Sequence, residues 1–166
     1  MSDFLIIGAQ RSGTTSLYRY VNSHPNVFMS PTKETNFFSL ATIENPHEYR
    51  DLKRFEQAVF TLEDYTKLFT DRSTDQICGE ASPLYMYVNG TAQTIYDYNP
   101  DMKIIAILRH PIERFISAYQ HNAIKHNILY ASVDDIIESQ QILSSDGVKF
   151  IDGLPMIPYL EGGLYY

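Results

Sequence analysis

Short, wholly apolar runs alternate along this chain with stretches whose apolar residues recur at helical spacing. Phe4-Leu5-Ile6-Ile7 is the first such run and predicts a strand buried on both faces. Leu17, Tyr20 and Val21 then line one stripe of a predicted helix over about 13–22, which His24-Pro25-Asn26 ends. Val27-Phe28-Met29 predicts a second strand, and Ile77-Cys78-Gly79-Glu80 a third, followed by Ala81-Ser82-Pro83 and an aromatic loop. Between them, residues 43–72 read as irregular, with helical character around 51–59 and 62–69. A helix over 91–98 should stop at Asn99-Pro100, where the proline restrains the residue before it. The clearest strand is Lys103-Ile104-Ile105-Ala106-Ile107-Leu108. Pro111 suits the first turn of a helix running to about Lys125, and a last helix is predicted over 133–143, capped by Ser132. Strands alternating with helices predict an α/β fold, a central parallel sheet flanked by helices in three layers. Its binding site belongs at the C-terminal ends of the strands.

The loop after the first strand carries the chemistry. In Gly8-Ala9-Gln10-Arg11-Ser12-Gly13-Thr14-Thr15-Ser16 two glycines bound a turn that opens a hydroxyl-rich helix. Free N–H groups at a helix start, with the positive end of the dipole, make an anion site, and Arg11 adds a permanent charge. A nucleoside-triphosphate P-loop has the same glycine separation but needs a lysine after the second glycine. Thr14 stands there instead, and the 103–108 strand runs into Arg109 rather than a metal-binding aspartate. The loop is P-loop-like, but a magnesium-dependent triphosphatase is disfavoured.

At 166 residues the chain fits a single domain over 1–166. Its net charge of -7 argues against non-specific nucleic-acid binding and lowers the odds of a heavily sulfated acceptor. Cys78 is alone, which excludes an internal disulfide, and its expected place is a buried strand position. His121 and His126 stand five apart, poor spacing for shared ligation, so no metal is expected. No apolar stretch approaches the roughly 20 residues that span a bilayer, and no export signal precedes the first strand; the expectation is a cytoplasmic protein without a membrane partner. Arg109, at the end of its strand, and Ser117, eight residues on and about 80° away around a regular helix, together suit a second phosphate.

At this point the chain resembles the sulfotransferases that use 3′-phosphoadenosine 5′-phosphosulfate (PAPS). Gln10-Arg11-Ser12-Gly13-Thr14-Thr15 is similar to their 5′-phosphosulfate loop, and Leu108-Arg109-His110-Pro111 through Arg114-Phe115-Ile116-Ser117-Ala118-Tyr119 to their 3′-phosphate motif. Lys33-Glu34-Thr35-Asn36-Phe37-Phe38 and Gly79-Glu80-Ala81-Ser82-Pro83-Leu84-Tyr85 resemble the heparan-sulfate-type and bacterial branches. The likeness covers about residues 4–130. It implies that the chain is the N-terminal and central part of a longer family domain.

The resemblance implies roles residue by residue. Ser12, Gly13, Thr14, Thr15 and Ser16 hold the 5′-phosphosulfate, and Arg109 and Ser117 hold the 3′-phosphate. Arg11 occupies the position of the family's catalytic lysine. Because arginine stays protonated, it stabilises charge there rather than donating a proton. Glu34 is the candidate base; Glu80 is a second candidate for that role, or else an orienting or ion-pairing group near the strand edge. The implied reaction moves a sulfuryl group from PAPS to a hydroxyl or amine of a small-molecule or glycan acceptor, releasing 3′,5′-ADP (PAP), with no metal. Ala81, where heparan-type relatives carry a lysine, points away from heparan and toward a neutral or small hydroxylated acceptor. The alternatives are a P-loop kinase or nucleotidase, and a catalytically idle nucleotide-binding module.

Overall fold

The computed structural model describes residues 2–49, 55–126, 150–151 and 154–155. They form two compact units. One comprises the residues up to Ala9 together with Gly13–Leu108; the other comprises Gln10–Ser12 together with the described residues from Arg109 on.

In the first unit the order is β1 (Phe4–Gly8), α1 (Thr14–Asn22), β2 (Val27–Met29), α2 (Phe37–Leu40), a 3₁₀ turn (Pro46–Tyr49), α3 (Leu62–Lys67), β3 (Ile77–Ala81), a second 3₁₀ turn (Pro83–Met86), α4 (Thr91–Tyr98) and β4 (Lys103–Ala106). The four strands form one parallel sheet in the order β2-β3-β1-β4. This is the α/β arrangement that the alternating pattern predicts.

Strand register divides the core into two layers. Leu5 lies opposite Glu80 and Phe4 opposite Gly79, so alternate residues of the two strands share a face. On one face Leu5 and Cys78 pack with Phe38 of α2, Tyr65 of α3 and Ile95 of α4. On the other, Phe4, Ile6, Met29 and Ala81 pack with Leu17 and Val21 of α1. Each fully buried Leu, Ile or Phe side chain contributes roughly 1.5–3 kcal/mol. The first layer is aromatic: Phe38 meets Tyr65, Tyr85 and Tyr98 edge-on at ring separations of 5.3, 5.5 and 5.1 Å. Gly79 is required by close approach, since a Cβ there would stand 2.5 Å from the Phe4 ring.

Local chemistry explains the helix ends. Thr61 caps α3 by accepting from the Asp64 amide at 3.1 Å, and Asp64 Oδ2 accepts the Thr61 hydroxyl in return at 2.8 Å. Helix α4 ends at Asn99, extended before Pro100.

One expectation needs correction. The 103–108 run forms regular ladder only to Ala106, because the β1–β4 register shifts between Ile6 and Gly8. Ile107 still donates to the Gly8 carbonyl at 2.8 Å and accepts from the Ala9 amide at 2.7 Å. Strand β4 pairs with β1 alone among the described residues, and Ile104 is 47% exposed.

In the second unit, α5 (Pro111–His126) begins on a proline, as the sequence predicts. Arg114 and Ala118, one turn apart, are both buried, while Ile112 and Ile116 face outward. Two short strands, β5 (Phe150–Ile151) and β6 (Leu154–Pro155), pair antiparallel. The helices predicted over 51–59 and 133–143 lie, in part and wholly respectively, outside the described residues.

Candidate active site

The parallel strands bring their C-terminal ends to one rim of the sheet. Strand β1 ends there in Gly8, and the loop after it leads into α1. Gly13 takes the N-cap position with φ of 100°, a left-handed conformation that glycine adopts without a side-chain penalty. No side chain caps α1 and no acidic residue occupies its first turn. The first-turn N–H groups have no partner within the helix, which suits them to an anion. Gly13, Thr15 and Ser16 are exposed at this start, whereas Thr14 is buried. The Ala9 amide is already committed to Ile107 and is not part of the cradle.

The second unit holds the loop's cation. Arg11 adopts φ of 65° and is exposed, and its Nε donates to Ser117 Oγ at 3.3 Å. Ser12 Oγ is buried with no hydrogen-bond partner in the protein, so it is a hydroxyl able to serve an incoming anion. Arg109 Nε donates to Glu113 Oε2 at 3.1 Å, an i,i+4 pair on the surface. The pairing of Arg11 with Ser117 spans 106 positions, and spacing alone gives no sign of it. Each unit by itself carries groups of the kind that bind a phosphate or sulfate: an open helix start in the first, and the Arg11 guanidinium with the hydroxyls of Ser12 and Ser117 in the second.

Back at the rim, Glu34 follows β2 in a tight turn. Its own φ is 62° and that of Asn36 is 51°. The Glu34 amide donates to the Ala81 carbonyl at 2.9 Å, which ties the turn to the end of β3. Its carboxylate pairs with Lys33 Nζ at 2.7 Å and the side chain remains 54% exposed. Glu34 is thus accessible to a substrate even while it is paired with Lys33.

Glu80 has the opposite surroundings. The two-residue strand period puts it on the aromatic face with Leu5, and it is wholly buried. Burial pushes its carboxyl up to about 7, against the hydroxyls of Tyr85, Ser82 and Thr35 and the charge of Lys33, which favour the ionised form. A carboxyl with no exposure cannot reach an acceptor, so Glu80 is not a base for one. Tyr85 is likewise a core residue, its hydroxyl bonded to that of Thr35 at 3.0 Å. Burial also pushes the Tyr85 hydroxyl well above its ordinary value. Ala81 is buried with Phe4 and Ile6 and presents no charge at the rim. Among the described residues, no group of three or more His, Cys, Asp or Glu side chains is placed to hold a metal ion. No described helix is long and apolar enough to cross a membrane.

A family model described as "Sulfotransferase family" matches residues 3–144, the span that holds both the loop and the Arg109–Ser117 segment. The chain belongs to the sulfotransferase family. This sulfotransferase-family chain is 30% identical over 119 residues to the membrane-associated sulfotransferase kil1 of Dictyostelium discoideum, covering 72% of itself and 22% of that protein. It is 30% identical over 115 residues to the mouse (Mus musculus) heparan sulfate glucosamine 3-O-sulfotransferase 5, covering 69% of itself and 29% of the relative. The crystal structure of a sulfotransferase from Alicyclobacillus acidocaldarius matches with a TM-score of 0.79 and 30% identity, over 99% of this chain and 65% of that one. The chain therefore spans less than a third of these two relatives and about two thirds of the solved structure.

Proposed function

We propose that this chain is a PAPS-dependent sulfotransferase acting on a hydroxyl or amine of a small-molecule or glycan acceptor. The observation that carries the reading is the Arg11–Ser117 hydrogen bond. It joins the cation of the phosphosulfate loop to the hydroxyl of the 3′-phosphate segment, within one compact unit. Nothing in a magnesium-triphosphate site calls for that pair. Residues 12–16 take the 5′-phosphosulfate, and Arg109 and Ser117 take the 3′-phosphate.

The transfer is an in-line displacement at sulfur. The acceptor oxygen or nitrogen forms a bond to sulfur as the bond from sulfur to the phosphate oxygen breaks, and PAP leaves with that electron pair. Arg11 offsets the charge that develops on the departing oxygen. Glu34, half-exposed at the rim, takes the acceptor proton. The mouse relative's name specifies a glucosamine hydroxyl, which favours a sugar hydroxyl here as well. The uncharged, buried position 81 and the net charge of -7 favour a sugar that is not already heavily sulfated.

Titration calorimetry with PAP tests the donor. PAP should bind without magnesium, more tightly than 5′-AMP, and Arg109→Ala should weaken it by at least about 10-fold, as for loss of a charged hydrogen bond. Equal affinity for 5′-AMP and PAP would refute the role of Arg109 and Ser117.

A further inference from the structure

Glu34 and Asn36 both sit in left-handed backbone conformations that non-glycine residues rarely adopt. Such a turn costs roughly 1–3 kcal/mol per residue and persists where its surroundings over-determine it. Three hydrogen-bonded anchors do so here. The Glu34 amide bonds to Ala81, the Thr35 hydroxyl to that of Tyr85, and the Asn36 amide donates to Ser82 Oγ at 3.1 Å. The last anchor has a root: Ser82 donates its own proton to Glu80 Oε2 at 2.8 Å. A serine hydroxyl on its own can rotate. Once its proton is committed to Glu80, its lone pairs are fixed toward the Asn36 amide. Glu80, Ser82, Thr35 and Asn36 are all buried, so water does not substitute for either bond.

We propose that Glu80 is a positioning residue for Glu34: through the Ser82 hydroxyl it locks the turn of residues 34–36 and so holds the Glu34 carboxylate out at the rim. The inference rests on the reading of Glu34 as the base. It explains why a carboxyl is kept in an aromatic layer, where an apolar side chain would pack at lower cost. Glu80 touches no substrate; its effect on transfer passes through the turn.

Amide hydrogen exchange tests the lock without any need for activity. In Ser82→Ala the Asn36 amide should exchange about 10-fold faster, the equivalent of one hydrogen bond, while the Cys78 amide in β3 stays protected. Glu80→Leu should loosen Asn36 in the same way. Glu80→Gln, which keeps an oxygen able to accept from Ser82, should retain the protection. In transfer assays Ser82→Ala should lower kcat with the donor KM unchanged, and should cost nothing further in a Glu34→Gln background. Unchanged Asn36 exchange in Ser82→Ala would overturn the positioning itself, and an undiminished Ser82→Ala effect in the Glu34→Gln background would overturn its route through Glu34. A fully active Glu34→Gln protein would instead remove the base assigned under the proposed function, whatever the exchange shows.

Discussion

Glu34 and Glu80 stand at the same rim of the same sheet and share a neighbour in Lys33, yet one is half-exposed and ion-paired while the other is sealed among hydroxyls and aromatic rings. The difference comes from backbone geometry. Glu34 lies on a left-handed turn that directs it outward, whereas Glu80 lies on a strand whose two-residue period turns it inward with Leu5. The same side chain is thus placed in two ways: one carboxylate open to solvent, the other sealed within the fold.

The sharpest way to break this contrast is to neutralise each carboxylate in turn. Glu34→Gln should lower the transfer rate by about 10²–10⁴-fold, the usual share of a general base, with PAP affinity nearly unchanged in calorimetry. If transfer persists at the wild-type rate, the accessible member of the pair is not the base.

Glu80 should instead appear in the pH dependence of stability. Its carboxyl is raised from an ordinary value near 4.5 to about 7, so between those values the folded state binds the proton and the unfolded state does not. Its contribution is therefore fully present below about pH 4.5 and lost as pH rises through about 7. The change is on the order of a few kcal/mol, since each tenfold difference in proton affinity between the two states is worth about 1.4 kcal/mol. Urea unfolding across this range should show the wild type losing stability relative to Glu80→Gln as pH rises. Parallel curves for the two proteins would mean that the buried carboxyl does not titrate there.

The smallest effect belongs to Lys33, which faces both carboxylates. Its pair with Glu34 is at the surface, so Lys33→Met should change stability by less than about 1 kcal/mol. Its charge favours ionised Glu80, so the same substitution should move the Glu80-linked transition to higher pH. A shift in the other direction would separate Lys33 from Glu80.

Much of this fold is legible in the residues. β2 and α4 fall where the Val27-Phe28-Met29 run and the Asn99-Pro100 stop put them, and β1 and α1 differ by one residue at an end. These elements are marked by local signals: apolar period, glycine and proline. α2, by contrast, is a single turn, too short for a periodic signal, and it exists because Phe38 fills the aromatic layer. The turn at Pro83–Met86 is likewise fixed by packing of Tyr85.

The site divides in the same way. The Arg11–Ser16 loop and Arg109 are readable as chemistry at recognisable spacing. The Arg11–Ser117 bond and the Glu80–Ser82–Asn36 chain join residues far apart in sequence, and the second depends on which face of β3 each residue takes. One available signal is the strand period, which puts Glu80 on the face of Leu5 and Cys78. The left-handed turn at residues 34–36 carries no glycine to announce it.

The contact between Gly79 and the Phe4 ring couples two positions on neighbouring strands into one shared volume. A side chain can enlarge at 79 only if the ring at 4 gives way. The middle of the sheet therefore tolerates change there in pairs rather than singly, and a redesign of this layer has to treat the two residues as one variable.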